Sequence, residues 1–193
     1  MRPTRRALLP LLLAPAACAL PPPVPGVRLP AEAPIAQGVT DPGRSAILST
    51  AYVFNQPGSI AGNPAAAAEA LGNLEFLAAH VASDQYYRDF DPLVAPLLAQ
   101  GRDEARAVMG FRPGAPSQVA LDSLYGTSAA LRSGNRTRAE AALGPLLARP
   151  GQEAAVLSRL AALPPLPRAA WATARAQNAL RQRDSRDRGA DWL

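Results

Sequence analysis

The aliphatic side chains of this sequence are nearly all alanine or leucine, and that decides its fold class. Alanine fills 42 positions and leucine 26, against nine valines, three isoleucines and ten aromatics in 193 residues. Ala and Leu lose little on entering a helix, whereas strands draw on β-branched and aromatic side chains. The composition therefore predicts an all-α fold. Helices should pack closely, because so many contact positions carry only a methyl group. A chain of this length can form one domain with a sizeable core. The expected architecture is a single irregular bundle of about six or seven short helices.

Proline, glycine and capping residues divide that bundle. Ile47, Leu48, Ala51 and Phe54 follow a helical period that stops at Pro57-Gly58. Asn63 then caps a helix with Pro64 at its first position, where a missing N–H does no harm. Its stripe is Ala67, Ala70, Leu71, Leu74, Leu77, Ala78 and Val81, with Phe76 and His80 opposite. Such a helix should be covered on both sides and sit centrally. Asp91-Pro92 repeats the start; Pro96 and Gly101 predict two short pieces, 92–99 and 102–109, closed by Gly110. Pro116-Ser117 opens the next helix, and Ser133-Gly134-Asn135 is a turn. A kink is expected at Gly144-Pro145, a short helix over 152–162, and a last helix from Pro167 toward Arg183. The helical domain is thus 44–183, followed by a charged tail, 184–193. Ala130, Gly134, Ala139 and Leu143 resemble one tetratricopeptide hairpin, but Gly126 and Leu146 depart from it and no second copy lies about 34 residues away. An ordinary helical hairpin is expected there.

The ionisable side chains exclude several chemistries. All 20 positive side chains are arginine. Without lysine there is no Schiff-base catalysis and no phosphate loop of the lysine type. His80 is the one histidine and Cys18 the one cysteine, so a zinc cluster or a cysteine nucleophile is not expected. No G-x-S-x-G elbow supports a serine triad. No cofactor is implied. The net charge of +5 gathers at the two ends, while residues 29–167 hold ten arginines and twelve acids. Nucleic-acid binding is not expected, because that function concentrates positive charge on a structured face.

The N-terminus reads as an address. Arg2, Arg5 and Arg6 precede an apolar stretch, 7–17, that is too short to span a bilayer and fits the core of an export signal. Pro10 and Pro15 argue against a buried helix. The run Pro15-Ala16-Ala17-Cys18 resembles the cleavage box of bacterial lipoproteins. That resemblance implies a mature chain beginning at Cys18, acylated there and held on the periplasmic side of a membrane. Cleavage after the A-x-A pattern Ala17-Cys18-Ala19 is the alternative, and would release a soluble periplasmic protein. Thr4-Arg5-Arg6-Ala7-Leu8-Leu9 is similar to a twin-arginine signal, with ordinary secretion as its rival. Residues 19–43 carry Pro21, Pro22, Pro23, Pro25, Pro30, Pro34 and Pro42 and read as an extended spacer.

The densest polar and aromatic cluster is His80, Asp84, Tyr86, Tyr87, Arg88 and Asp89, followed by Phe90 and Asp91. As a functional surface it would offer tyrosine anchors with Asp and Arg orienting a partner from the envelope. As plain structure it would be a helix–helix connection with Asp91 capping. Glu75, or the carboxylates from Asp84 to Asp91, could instead serve a glycan hydrolase, which needs two carboxylates at a defined separation. Arg183 with Asp187 and Asp184 with Arg188 are helical pairs contributing about 0.3 kcal/mol each at a solvated helix end. The resulting expectation is a lipid-anchored envelope protein that binds or scaffolds. A hydrolase is the rival reading. A subunit of a larger assembly is a third, and predicts an exposed apolar helix face.

Overall fold

A computed structural model describes residues 26–37 and 40–190, the last two by backbone alone. The export segment with Cys18, and Trp192, lie outside the described residues. Seven α-helices are packed together: α1 (Pro42–Asn55), α2 (Pro64–Ser83), α3 (Val94–Met109), α4 (Ser117–Arg132), α5 (Arg136–Leu143), α6 (Glu153–Ala161) and α7 (Pro167–Ala190). No strand occurs among the described residues, only an isolated bridge between Phe111 and Leu147. No described helix is long and apolar enough to cross a membrane.

Local chemistry starts these helices. Asp41, Asn63 and Asn135 each accept a hydrogen bond from the backbone N–H three residues on, at 2.9, 3.0 and 2.9 Å. Pro42 and Pro64 follow two of them. The start of α7 is capped from another helix: Glu104 Oε2 accepts from the N–H groups of Arg168 and Ala169 at 2.9 and 3.0 Å. A carboxylate there meets both the free donors and the positive end of the helix dipole. Gly110 ends α3 at a φ of 77°, in the left-handed region.

Central α2 packs against α1, α3, α4 and α6. Its small side chains explain this: Ala67, Ala68, Ala70, Ala78 and Ala79 are buried around the helix together with Leu71, Leu74, Phe76 and Leu77. Methyl-sized contacts let four neighbours approach one helix. On the far side of α1 and α3, α7 closes the bundle with Ala169, Ala172, Ala176, Ala179 and Leu180 buried.

Four expectations change. The two pieces 92–99 and 102–109 are one helix, α3. Pro96 falls in its first turn, where no intrahelical N–H is needed. Gly101 marks contact rather than a break: a Cβ there would lie 2.8 Å from the Cα of Ala169, so the missing side chain lets α3 and α7 meet. At Gly144-Pro145 the chain does not kink; α5 stops and a 3-10 turn, Gly144–Leu146, follows. The charged tail is helical as far as Ala190. Finally, part of the expected spacer lies on the bundle. Ala33 and Ile35 are buried, and Val27 and Leu29 pack against the core. The Gln118 side chain accepts from the Arg28 N–H and donates to the Arg28 carbonyl, both at 2.9 Å. This strap has no long apolar period, because its one regular element is a single 3-10 turn, Pro34–Ala36, with Ile35 buried.

Replacing Gly101 with Ala should destabilise the bundle by about 1–3 kcal/mol, since overpacking outweighs the gain of about 1 kcal/mol in helix propensity. Urea denaturation measures this; a stabilised variant would mean that α3 and α7 can part without cost.

Candidate functional site

The cluster from His80 to Asp89 forms the connection between α2 and α3. Phe76 and His80 are one turn apart on α2, and their rings stack at 4.6 Å. His80 meets the edge of Tyr87 at 5.4 Å, and Tyr87 meets Phe90 at 5.0 Å. The aromatic series therefore runs inward from the helix end, and Tyr87 and Phe90 are core residues. A Cβ on Gly43 would overlap the Tyr87 hydroxyl, so the start of α1 is shaped around this ring. Burial lowers the basicity of His80, against the pull of Asp84, 3.6 Å away, and of Asp41. The neutral imidazole is thus favoured in the fold. Burial likewise pushes the Tyr87 hydroxyl well above its ordinary range.

The remaining members of the cluster face outward. Asp84 Oδ1 accepts from the Tyr86 N–H at 2.8 Å and so shapes the 3-10 turn Gln85–Tyr87. Tyr86 is exposed on one side, while the Arg183 guanidinium lies 3.4 Å from its ring centre. Arg183 also donates to the Tyr86 carbonyl at 2.6 Å. Arg88 and Asp89 are exposed. Asp91, bonded to the Leu93 N–H and to Arg175, is held below the usual carboxylate range by those two donors. Asp184 is bound through both oxygens by Arg44, at 2.8 and 2.7 Å, and is lowered for the same reason. The expected pair between Asp184 and Arg188 is replaced by this bond to α1; Arg188 instead donates to the Asp184 backbone carbonyl.

Open depressions surround the connection. One of about 590 Å³ is lined by Gly26, Val27, His80, Ser83, Asp84 and Arg88. Another of about 700 Å³ lies between Asp89–Pro92 and Arg181, Ser185 and Arg186 of α7. No group of three His, Cys, Asp or Glu side chains among the described residues could hold a metal.

Glu75 is elsewhere, in the centre of the fold. Arg106 of α3 donates from Nε and Nη2 to its two oxygens at 2.6 and 2.8 Å. The same guanidinium donates from Nη1 to the carbonyls of Pro113 and Ala115, both at 2.9 Å. Glu75 and Arg106 are 3% and 4% exposed. Burial raises the Glu75 carboxyl above its ordinary range, and the bidentate guanidinium pulls it back. The space beside the pair is only about 10 Å³. A second buried relay joins α4, α2 and α1: Tyr125 donates to Asn73 Oδ1 at 2.5 Å, and Asn73 donates to Ser49 at 3.2 Å.

Sequence reasoning missed Arg106, whose position carries no local mark, and it missed exposed apolar side chains, Leu48, Tyr52, Leu93, Val108 and Trp171. Tyr52 and Trp171 are 55% and 57% exposed, on α1 and α7, and Leu48 stands one turn before Tyr52. Leu48, read from the sequence as part of the stripe with Ile47, Ala51 and Phe54, lies outside it and is exposed with Tyr52, four residues on. The chain matches no protein-family model, no curated protein and no solved structure.

Glu75→Gln should cost about 3–5 kcal/mol, because it leaves a buried guanidinium without its counter-charge. Glu75→Leu with Arg106→Met should recover only part of that, since the Pro113 and Ala115 carbonyls lose their donor; chemical denaturation of the three proteins tests this. His80 sets a pH dependence. Its folded pKa is lowered, so the unfolded chain binds the proton more readily, and stability falls as pH falls through the unfolded value of about 6.5 toward the folded one. Relative to His80→Phe, the wild type should lose stability as pH falls below about 6.5; a constant difference would contradict this.

Proposed function

We propose that this chain is an exported bacterial envelope protein, held at a membrane by acyl chains on Cys18, whose helical domain binds or scaffolds an envelope partner without doing chemistry. The anchor rests on Arg2, Arg5, Arg6, the apolar run and the Ala16-Ala17-Cys18 box. The observation that carries the binding role is how the polar and aromatic side chains are used. Glu75 is neutralised by Arg106, His80 is stacked on Phe76, and Asp84 and Asp91 bond to turn N–H groups. Each is committed to holding the fold. Large apolar side chains remain exposed instead: Leu48 and Tyr52 on α1, and Trp171 on α7, which packs against it. Tyr and Trp are the side chains most often found to dominate protein interfaces.

A glycan hydrolase would need a reachable carboxylate pair. Glu75 faces a guanidinium rather than a cleft, and this disfavours it as the acid or nucleophile.

Capture of the tagged full-length protein from membranes tests both parts. Mass spectrometry of its N-terminal peptide should give a diacylated or triacylated cysteine at position 18. A mature start at Leu20 would end the anchor reading. A partner held by the wild type should be lost from a Tyr52→Ala, Trp171→Ala variant of unchanged helical content. Retention of the partner by that variant would remove the role given to Tyr52 and Trp171.

A further inference from the structure

We propose that the end of the bundle bearing the α2–α3 connection and the C-terminal part of α7 faces the bilayer, held there by a tether far shorter than the proline-rich stretch suggests. The inference rests on the anchor reading above. The strap supplies its geometry. Residues 27–35 are held, through Val27 and Leu29 against the core, the paired bonds of Arg28 with Gln118, and the burial of Ala33 and Ile35. Only residues 19–26 separate Cys18 from the first held residue. Fully extended, about eight residues reach no more than about 29 Å. Without the strap, the free chain would run to Asp41 and reach about two and a half times as far.

The docked strap also fixes where the tether leaves the domain. Gly26 and Val27 share the depression at the C-terminal end of α2 with His80, Asp84 and Arg88. Helix α2, of 20 residues, is about 30 Å long. Its far end could therefore touch the membrane only with the tether stretched to its limit, a state with almost no chain entropy. The near end meets no such restriction.

That end can lie against anionic phospholipid headgroups. Arg28, Arg88, Arg181 and Arg186 are exposed there, and none is within ion-pair distance of a carboxylate among the described residues. Asp41 and Asp84 are engaged as caps, Asp91 by Arg175 and Asp184 by Arg44, which leaves Asp89 as the exposed acid opposing these arginines. Tyr86 adds an exposed ring of the kind enriched at the headgroup level. Arginines also occur at the far end, Arg136 and Arg138 among them, so reach rather than charge selects the face.

The test uses the acylated full-length protein in vesicles of phosphatidylethanolamine and phosphatidylglycerol that carry a headgroup quencher. A fluorophore is placed at Gln85→Cys or, at the far end, at Arg136→Cys, and acylation is verified by intact mass on the same sample. The label at position 85 should be quenched severalfold more than that at 136. A Gly/Ser insertion after Ala19 as long as the docked strap should abolish the difference. Equal quenching in acylated protein would overturn the orientation while leaving the anchor standing. A preference that survives the insertion would overturn the role of the short tether. Absence of acyl mass would remove the anchor reading, and this inference with it.

Discussion

The guanidinium of Arg106 ties α3 both to α2 and to the loop that follows α3. It binds both oxygens of Glu75 on α2 and two carbonyls in the loop that leads from α3 to α4. Buried charge is tolerated only when every donor and acceptor has a partner. That requirement fixes the rotation of α3 on α2 and the path of residues 110–116 together. Apolar contacts between alanines could slide along one another at small cost; a bidentate pair with two further bonds cannot. The registration of an alanine-rich core is set here by a polar interaction.

The same division runs through the rest of the bundle. Alanine and glycine let helices come close, as where Gly101 meets Ala169 and where Tyr125 lies against Gly72. Polar side chains then select one arrangement: Tyr125 to Asn73 to Ser49 across three helices, Glu104 on the start of α7, and Arg44 on Asp184 near its end. The connection at 84–92 belongs to this system. Its tyrosines serve in different ways, Tyr87 inside the fold and Tyr86 outside beneath Arg183. Adjacent identical residues therefore do not form one surface, and the candidate site divides between core and solvent.

How much was legible follows from the range of each interaction. The starts at Asn63-Pro64 and Gly110 as a stop act within one turn of helix, and both were readable. The two-sided burial of α2 could be read from Phe76 and His80 lying opposite its leucine stripe. Gly101 could not, because the same glycine serves as a breaker or as a contact point depending on what lies across from it. The strap at 26–37 was hidden for a related reason: its hydrogen-bond partner, Gln118, stands 90 residues away. Of the candidate site, its place at a helix connection was legible; Asp91, read as the cap of a helix from Pro92, instead accepts from the Leu93 N–H ahead of α3, which begins at Val94 without a side-chain cap. The insertion of Tyr87 and the cover supplied by Arg183 were not legible.

By itself, the sequence determined an all-α fold, the chemistries that lack their side chains, most helix limits, and the residues from which an export and anchor reading is drawn. Those properties depend on composition or on neighbours a few residues apart. Only the tertiary structure decided that Glu75 is neutralised, that α3 is continuous, that Tyr52 and Trp171 are left exposed, and that residues 27–35 lie on the bundle. Each of these is a pairing between distant segments. An alanine-rich sequence states that helices will pack closely but leaves open which faces meet; the few buried polar groups, which must each find a partner, make that choice.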